Sequence, residues 1–125
     1  MSSQHVQVII VSGPDEPKRL LLGLSMAAGA AAAGTNVHVF LAMDGARCLQ
    51  PGVCDQTLLE GYPSVSELLS VVTESGGAVE YCPHCLPTGC THTPAAQGGS
   101  CGCKGVPAGL TSYGVRMADW PTVVF

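Results

Sequence analysis

Residues 6–43 read VQVIIVSGPDEPKRLLLGLSMAAGAAAAGTNVHVFLAM, and the fold class follows from them. Val6 to Val11 is an almost continuous β-branched, apolar run, the pattern of a central strand buried on both faces. SGPDEPKR then supplies turn residues, with Asp15 a candidate N-cap and Pro17 in the first turn of a helix. From Lys18 to Gly34 the apolar positions Leu20, Leu21, Leu24, Ala27, Ala28 and Ala31 fall on one helical stripe, and Gly34 is placed to end it. Alanines on the remaining faces would let a sheet or a second subunit approach closely. Val37 to Met43 is again dense in apolar residues and stops at the turn Asp44-Gly45, which predicts a second strand. Strand, helix and strand in that order make a βαβ unit.

After this unit, Ala46 to Tyr62 is irregular, interrupted by Pro51, Gly52 and Gly61. Ser64-Val65-Ser66-Glu67 is a capping box and opens a helix with the stripe Val65, Leu68, Leu69 and Val72. Gly76-Gly77 closes that helix, and Ala78 to Tyr81 is a third strand running into Cys82. Residues 83–109 are rich in Gly, Pro, Thr and Cys and show neither period. A short helix is expected over Thr111 to Ala118, with Leu110, Tyr113 and Met117 on one side. A final strand is expected over Thr122 to Phe125, and a fifth near Val106. The alternation predicts a three-layer α/β/α fold around a mainly parallel sheet of four to five strands, with right-handed crossovers. Residues 1–125 read as a single domain carrying a cysteine-rich loop insertion over residues 82–109.

Composition narrows the function classes. Hydrophobic residues make up 46% of the 125-residue chain and charged residues only 11%, where ~25% charged is usual. The missing surface charge predicts that a neighbouring subunit covers some apolar face, so a homo-oligomer is expected. The net charge of −4, with only five Lys and Arg, argues against nucleic acid or an anionic membrane surface as partner. MSSQHVQVII lacks the basic n-region of a signal peptide, and a cytoplasmic location is expected. The apolar run Leu20 to Gly34 is about five residues short of the ~20 that span a bilayer, so it reads as a buried helix. SGPDEPK has neither the spacing of a phosphate loop nor its charge.

Five of the seven cysteines lie within residues 82–103: Cys82, Cys85, Cys90, Cys101 and Cys103, with His84 and His92 among them. In a reducing compartment such crowding points to catalysis or metal rather than a disulfide framework. In open α/β sheets the chemistry sits beyond the carboxyl ends of the strands, where Ser12-Gly13, Asp44-Gly45 and Cys82 fall. One reading makes Cys82 a thiolate that carries sulfur or electrons, with His84 as electropositive neighbour and Cys85 or Cys90 resolving the product. A second has Cys82, Cys85, Cys90, Cys101 and Cys103 supplying thiolates to a soft metal, Cu(I) or Zn(II). A third is a thiol–disulfide redox protein using the same residues. The tetrapeptide CPHC is similar to thioredoxin-like active sites, but Leu86-Pro87-Thr88-Gly89 continues a helix poorly. Cys48 and Cys54 read as ordinary loop or interface cysteines, and His5 and His38 as plain surface or packed residues.

The opening strand VQVIIVSG, the Ala-rich first helix, VFLAMDGARCL, the strand entering YCPHC and the terminal DWPTVVF together resemble the DsrE/DsrF-like family of small sulfur-relay proteins. The resemblance implies trimers or hexamers, sulfur donor and acceptor proteins as partners, and a persulfide-carrying cysteine that falls on Cys82, with Cys85 next. The segment from Thr88 to Gly105, with its extra cysteines, departs from that pattern and would suit a metal site or a disulfide switch.

Overall fold

The computed structural model describes residues 4–50, 52–85 and 105–125. Among the described residues five strands form one fully parallel sheet in the order β4-β3-β2-β1-β5: β1 His5–Ile10, β2 Asn36–Leu41, β3 Ala78–Tyr81, β4 Val106–Pro107 and β5 Thr122–Val124. Helices α1 (Pro17–Ala32) and α2 (Val65–Glu74) share one face, and α3 (Leu110–Arg116) packs on the other. This is the expected α/β architecture, and the strand near Val106 is present as a two-residue edge.

Alternation along each strand sorts the two faces. Val8, Ile10, Val37, Val39, Leu41, Val79 and Tyr81 point toward α1 and α2. They meet the stripes Leu20, Leu21, Leu24, Ala27, Ala28, Ala31 and Val65, Leu68, Leu69, Val72, all buried. Each fully buried Val, Leu or Ile contributes roughly 1.5–3 kcal/mol, so this face carries most of the hydrophobic stabilisation. The opposite face buries Phe40, Ala42 and Tyr113 beneath α3.

Local signals held to different degrees. The Ser64 capping box forms in full: Ser64 Oγ accepts from the Glu67 N–H at 3.2 Å, and the Glu67 carboxylate accepts from the Ser64 N–H at 2.8 Å. Asp15 is not an N-cap. Glu16 occupies that position without a side-chain cap, and Asp15 instead accepts a 3.3 Å hydrogen bond from Arg47. Helix α1 ends at Ala32, and Gly34 follows at φ +100°, which a β-carbon would disfavour. Strand β2 stops at Leu41, two residues before its expected end, because Met43–Leu49 coils into a 3₁₀ helix. Of the three residues expected on one side of α3, Tyr113 is buried, while Leu110 and Met117 are exposed. Among the described residues no helix is long and apolar enough to cross a membrane.

Candidate functional site

The carboxyl ends of β1, β2 and β3 converge. The Ala42 N–H donates to Ile10 O at 3.0 Å, and the Cys82 N–H donates to Leu41 O at 3.0 Å, so each strand end is tied to its neighbour. Gly45 lies so close to β1 that a β-carbon there would sit 2.0 Å from Ile10 O. Between them Met43 adopts φ 53°, the left-handed region that non-glycine residues rarely enter. Strain of this kind is kept where the surrounding structure over-determines it, commonly at a functional site.

Cys82 leaves β3 and enters the turn Pro83–Cys85, closed by the Cys85 N–H donating to Cys82 O at 3.0 Å. The turn brings the thiols of Cys82 and Cys85, both free and half-buried, into hydrogen bonding. Burial pushes the Cys85 thiol up, and its hydrogen bond to Cys82 and the charge there add to the shift. A backbone hydrogen bond from Met43 acts the other way. The Cys85 thiol thus resists ionisation, and Cys82, at the strand end and on the wall of the adjoining pocket, is the sulfur placed to meet an incoming group.

Beside Cys82 opens a pocket of about 440 Å³, walled by Pro83, His84, Pro107, Ala108, Gly109 and Leu110. Its far wall is set by β4 and the start of α3, anchored where the Ala108 N–H donates to Tyr81 O at 3.0 Å. His84 is exposed on this wall, and among the described residues its ring makes no hydrogen bond to either thiol. The sequence pattern carried no signal for Met43, Ala108 or Leu110 at the site. A positive φ and a wall closed by an edge strand are products of the sheet.

Cys90, Cys101, Cys103 and His92 lie outside the described residues. Among the described residues no group of three or more Cys, His, Asp or Glu side chains is arranged to hold a metal ion. Cys48 is buried in the main core, and burial pushes its thiol up to about 12, which makes it inert at neutral pH. Cys54 is also buried in that core and is disulfide-bonded.

A parallel sheet carrying a half-buried thiol pair at its carboxyl edge defines a small α/β thiol protein. The DsrE/DsrF-like family model matches residues 4–88, a span containing both Cys82 and Cys85, and the chain belongs to that family, which is associated with sulfur relay. Among solved structures, the YchN protein from E. coli is similar, with a TM-score of 0.70 and 20% identity over 99% of this chain and 100% of that one. At that identity the likeness speaks to the fold. No curated protein sequence gives a significant match.

Proposed function

We propose that this protein is a sulfur carrier that holds sulfane sulfur as a persulfide on Cys82 and passes it to a partner protein. The observation that supports this most is the free, hydrogen-bonded Cys82–Cys85 pair, opening onto a pocket walled mainly by Pro83, Pro107, Ala108 and Leu110. In loading, the Cys82 thiolate attacks the outer sulfur of a donor persulfide, R–S–SH. A sulfur–sulfur bond forms at Cys82, the donor's bond breaks, and R–S⁻ departs. In unloading, an acceptor thiolate attacks the outer sulfur and Cys82 leaves as thiolate, so the relay is redox-neutral. Cys85 is the resolving residue: its thiolate attacking the inner sulfur gives a Cys82–Cys85 disulfide and releases HS⁻, and an external dithiol then restores the pair.

The working unit we propose is a homo-oligomer. Leu110, Val115, Met117 and Val124 are more than half exposed on or beside α3, an apolar surface consistent with the low charge of the chain.

Native mass spectrometry of anaerobically purified protein, followed by the denatured mass, tests both statements. The expected result is a metal-free oligomer whose denatured subunit retains sulfur that a thiol reagent removes. Cys82→Ser should abolish loading, and Cys85→Ser should leave the persulfide on Cys82 longer-lived. A loaded Cys82→Ser subunit would overturn the carrier assignment. A native mass carrying Cu(I) or Zn(II), lost on denaturation, would replace it with a metal centre drawing on Cys82, Cys85, Cys90, Cys101 and Cys103.

A further inference from the structure

The amino-terminal end of the sheet holds a second cluster of titratable groups, on the face away from α1 and α2. The β1–β2 register pairs His5 with Asn36 and Gln7 with His38, which makes the two histidines diagonal neighbours on one face. His5 Nδ1 and His38 Nε2 are 3.1 Å apart in a hydrogen bond. Trp120, in the segment entering β5, stacks on both rings, with centroids 4.3 Å from His5 and 4.6 Å from His38. The Arg116 guanidinium, at the last residue of α3, lies 4.8 Å from the Trp120 ring and 4.4 Å from that of Tyr113. Tyr113 in turn stacks on Phe40 at 4.3 Å and donates its hydroxyl proton to Glu80. Arg116 and Trp120 thus link the carboxyl end of α3 to the histidine pair, beside the anchor that buried Tyr113 makes on Phe40, Glu80 and Gln7.

An N–H···N bond between two imidazoles requires that one of them lack a proton on the shared side. With one proton on the pair, the bond is charge-assisted and strengthened. With two, both nitrogens are donors, the bond is lost, and two cations lie against each other beside a third, Arg116. The groups facing the pair are Arg116 from α3, Glu80 from β3, and Asp119 and Trp120 from the segment between α3 and β5. Glu80 offers partial compensation, since it already accepts from Tyr113 and lies 3.9 Å from Arg116. Asp119 shares with His5 and Trp120 the walls of a neighbouring pocket of about 440 Å³.

We propose that the His5–His38 pair is a proton-operated latch for α3, closed while at least one of the two facing nitrogens is unprotonated and released by the second proton. Release would also loosen the far wall of the thiol pocket, because α3 begins at Leu110; that consequence alone rests on the carrier reading. The direction of the pH effect agrees. Burial first, then Arg116 and His5, hold His38 below its ordinary value of 6.5, with Glu80 opposing. Between the two values the unfolded chain binds more protons than the folded one. The stabilisation is therefore present above about 6.5 and is lost as pH falls through the lower, folded value.

Trp120 is the chain's only tryptophan, so its fluorescence reports on the stack directly. Lowering the pH of the wild-type protein from roughly 8 to 5, the range in which histidine titrates, should quench the emission in one transition. Across it, amide exchange over residues 110–116, corrected for its intrinsic pH dependence, should quicken roughly tenfold as α3 is released. His38→Gln and, as the milder variant, His5→Gln should each remove the acceleration of α3 exchange, although the imidazole left against Trp120 can still quench its emission. The Cys82→Ser variant should titrate like the wild type, which separates the latch from the sulfur chemistry. Flat emission in the wild type, unchanged α3 exchange across the transition, or an acceleration of α3 exchange that survives in both histidine variants would overturn the latch.

Discussion

The two faces of the sheet are held by different physics. Beneath α1 and α2 the contact is mainly aliphatic: Leu, Val, Ile and Ala side chains fill most of the space, joined by Tyr81, Cys48 and Cys54. Beneath α3 it is aromatic and polar. Phe40, Tyr113, Trp120, His5 and His38 stack, Arg116 joins the stacks, and fully buried Gln7 donates to Tyr113 O at 3.1 Å and Thr122 Oγ1 at 2.9 Å. Aliphatic burial is non-directional and insensitive to pH. A stacked, hydrogen-bonded face depends on geometry and protonation, and a seven-residue helix has few other contacts to fall back on. The first face is suited to hold the sheet permanently, and the second to hold an element that moves.

Substitutions on the two faces should separate these behaviours. Leu24→Ala removes a wholly buried side chain from the aliphatic face and should lower unfolding stability by about 3 kcal/mol. Denaturant melts at several pH values should find that loss nearly constant, and a loss that varied strongly with pH would break the contrast. Tyr113→Phe keeps the ring on Phe40 but deletes the donor to Glu80, and should cost about 2 kcal/mol. Its additional effect should be faster exchange over residues 110–116, with α1 protection unchanged; equal loosening of both faces would show one cooperative unit. Ser64→Ala removes the capping-box acceptor of α2 and should cost about 1 kcal/mol. Thermal melts should register it as a small shift, with the Trp120 titration unaltered.

The thiol site shows a similar division. Cys82 could be located at a strand end because AVEY ends where the Cys/Pro-rich segment begins, and β3 occupies the expected Ala78–Tyr81. Its pairing with Cys85 follows from a turn of four residues, a local feature. The Met43 amide, which reaches Cys85 from a different strand end, depends on how β1 and β2 are registered and on the close approach of Gly45 to Ile10. The pocket wall at Ala108 and Leu110 comes from residues more than twenty positions downstream.

Periodicity and capping chemistry are local, and they sufficed for the βαβ start, the stripes of α1 and α2, the Ser64 cap and the third strand. Each rests on residues at most a few positions apart, where the 3.6- and 2-residue repeats determine which side chains share a face. Asp15 shows the limit: its residue type suits an N-cap, yet the helix starts at Pro17, Glu16 takes the cap position and Asp15 meets Arg47, thirty-two positions downstream. His5 and His38 show it more sharply. Thirty-three positions separate them, and nothing in either neighbourhood links them. Parallel pairing of β1 with β2 puts them on one face, and the return of the chain through α3 lays Trp120 across both. Local residue pattern was enough for most of the strands and helices, though not for the 3₁₀ helix Met43–Leu49. Only the tertiary structure decided which distant side chains meet, because contact across a parallel sheet is set by register and strand order rather than by separation along the chain.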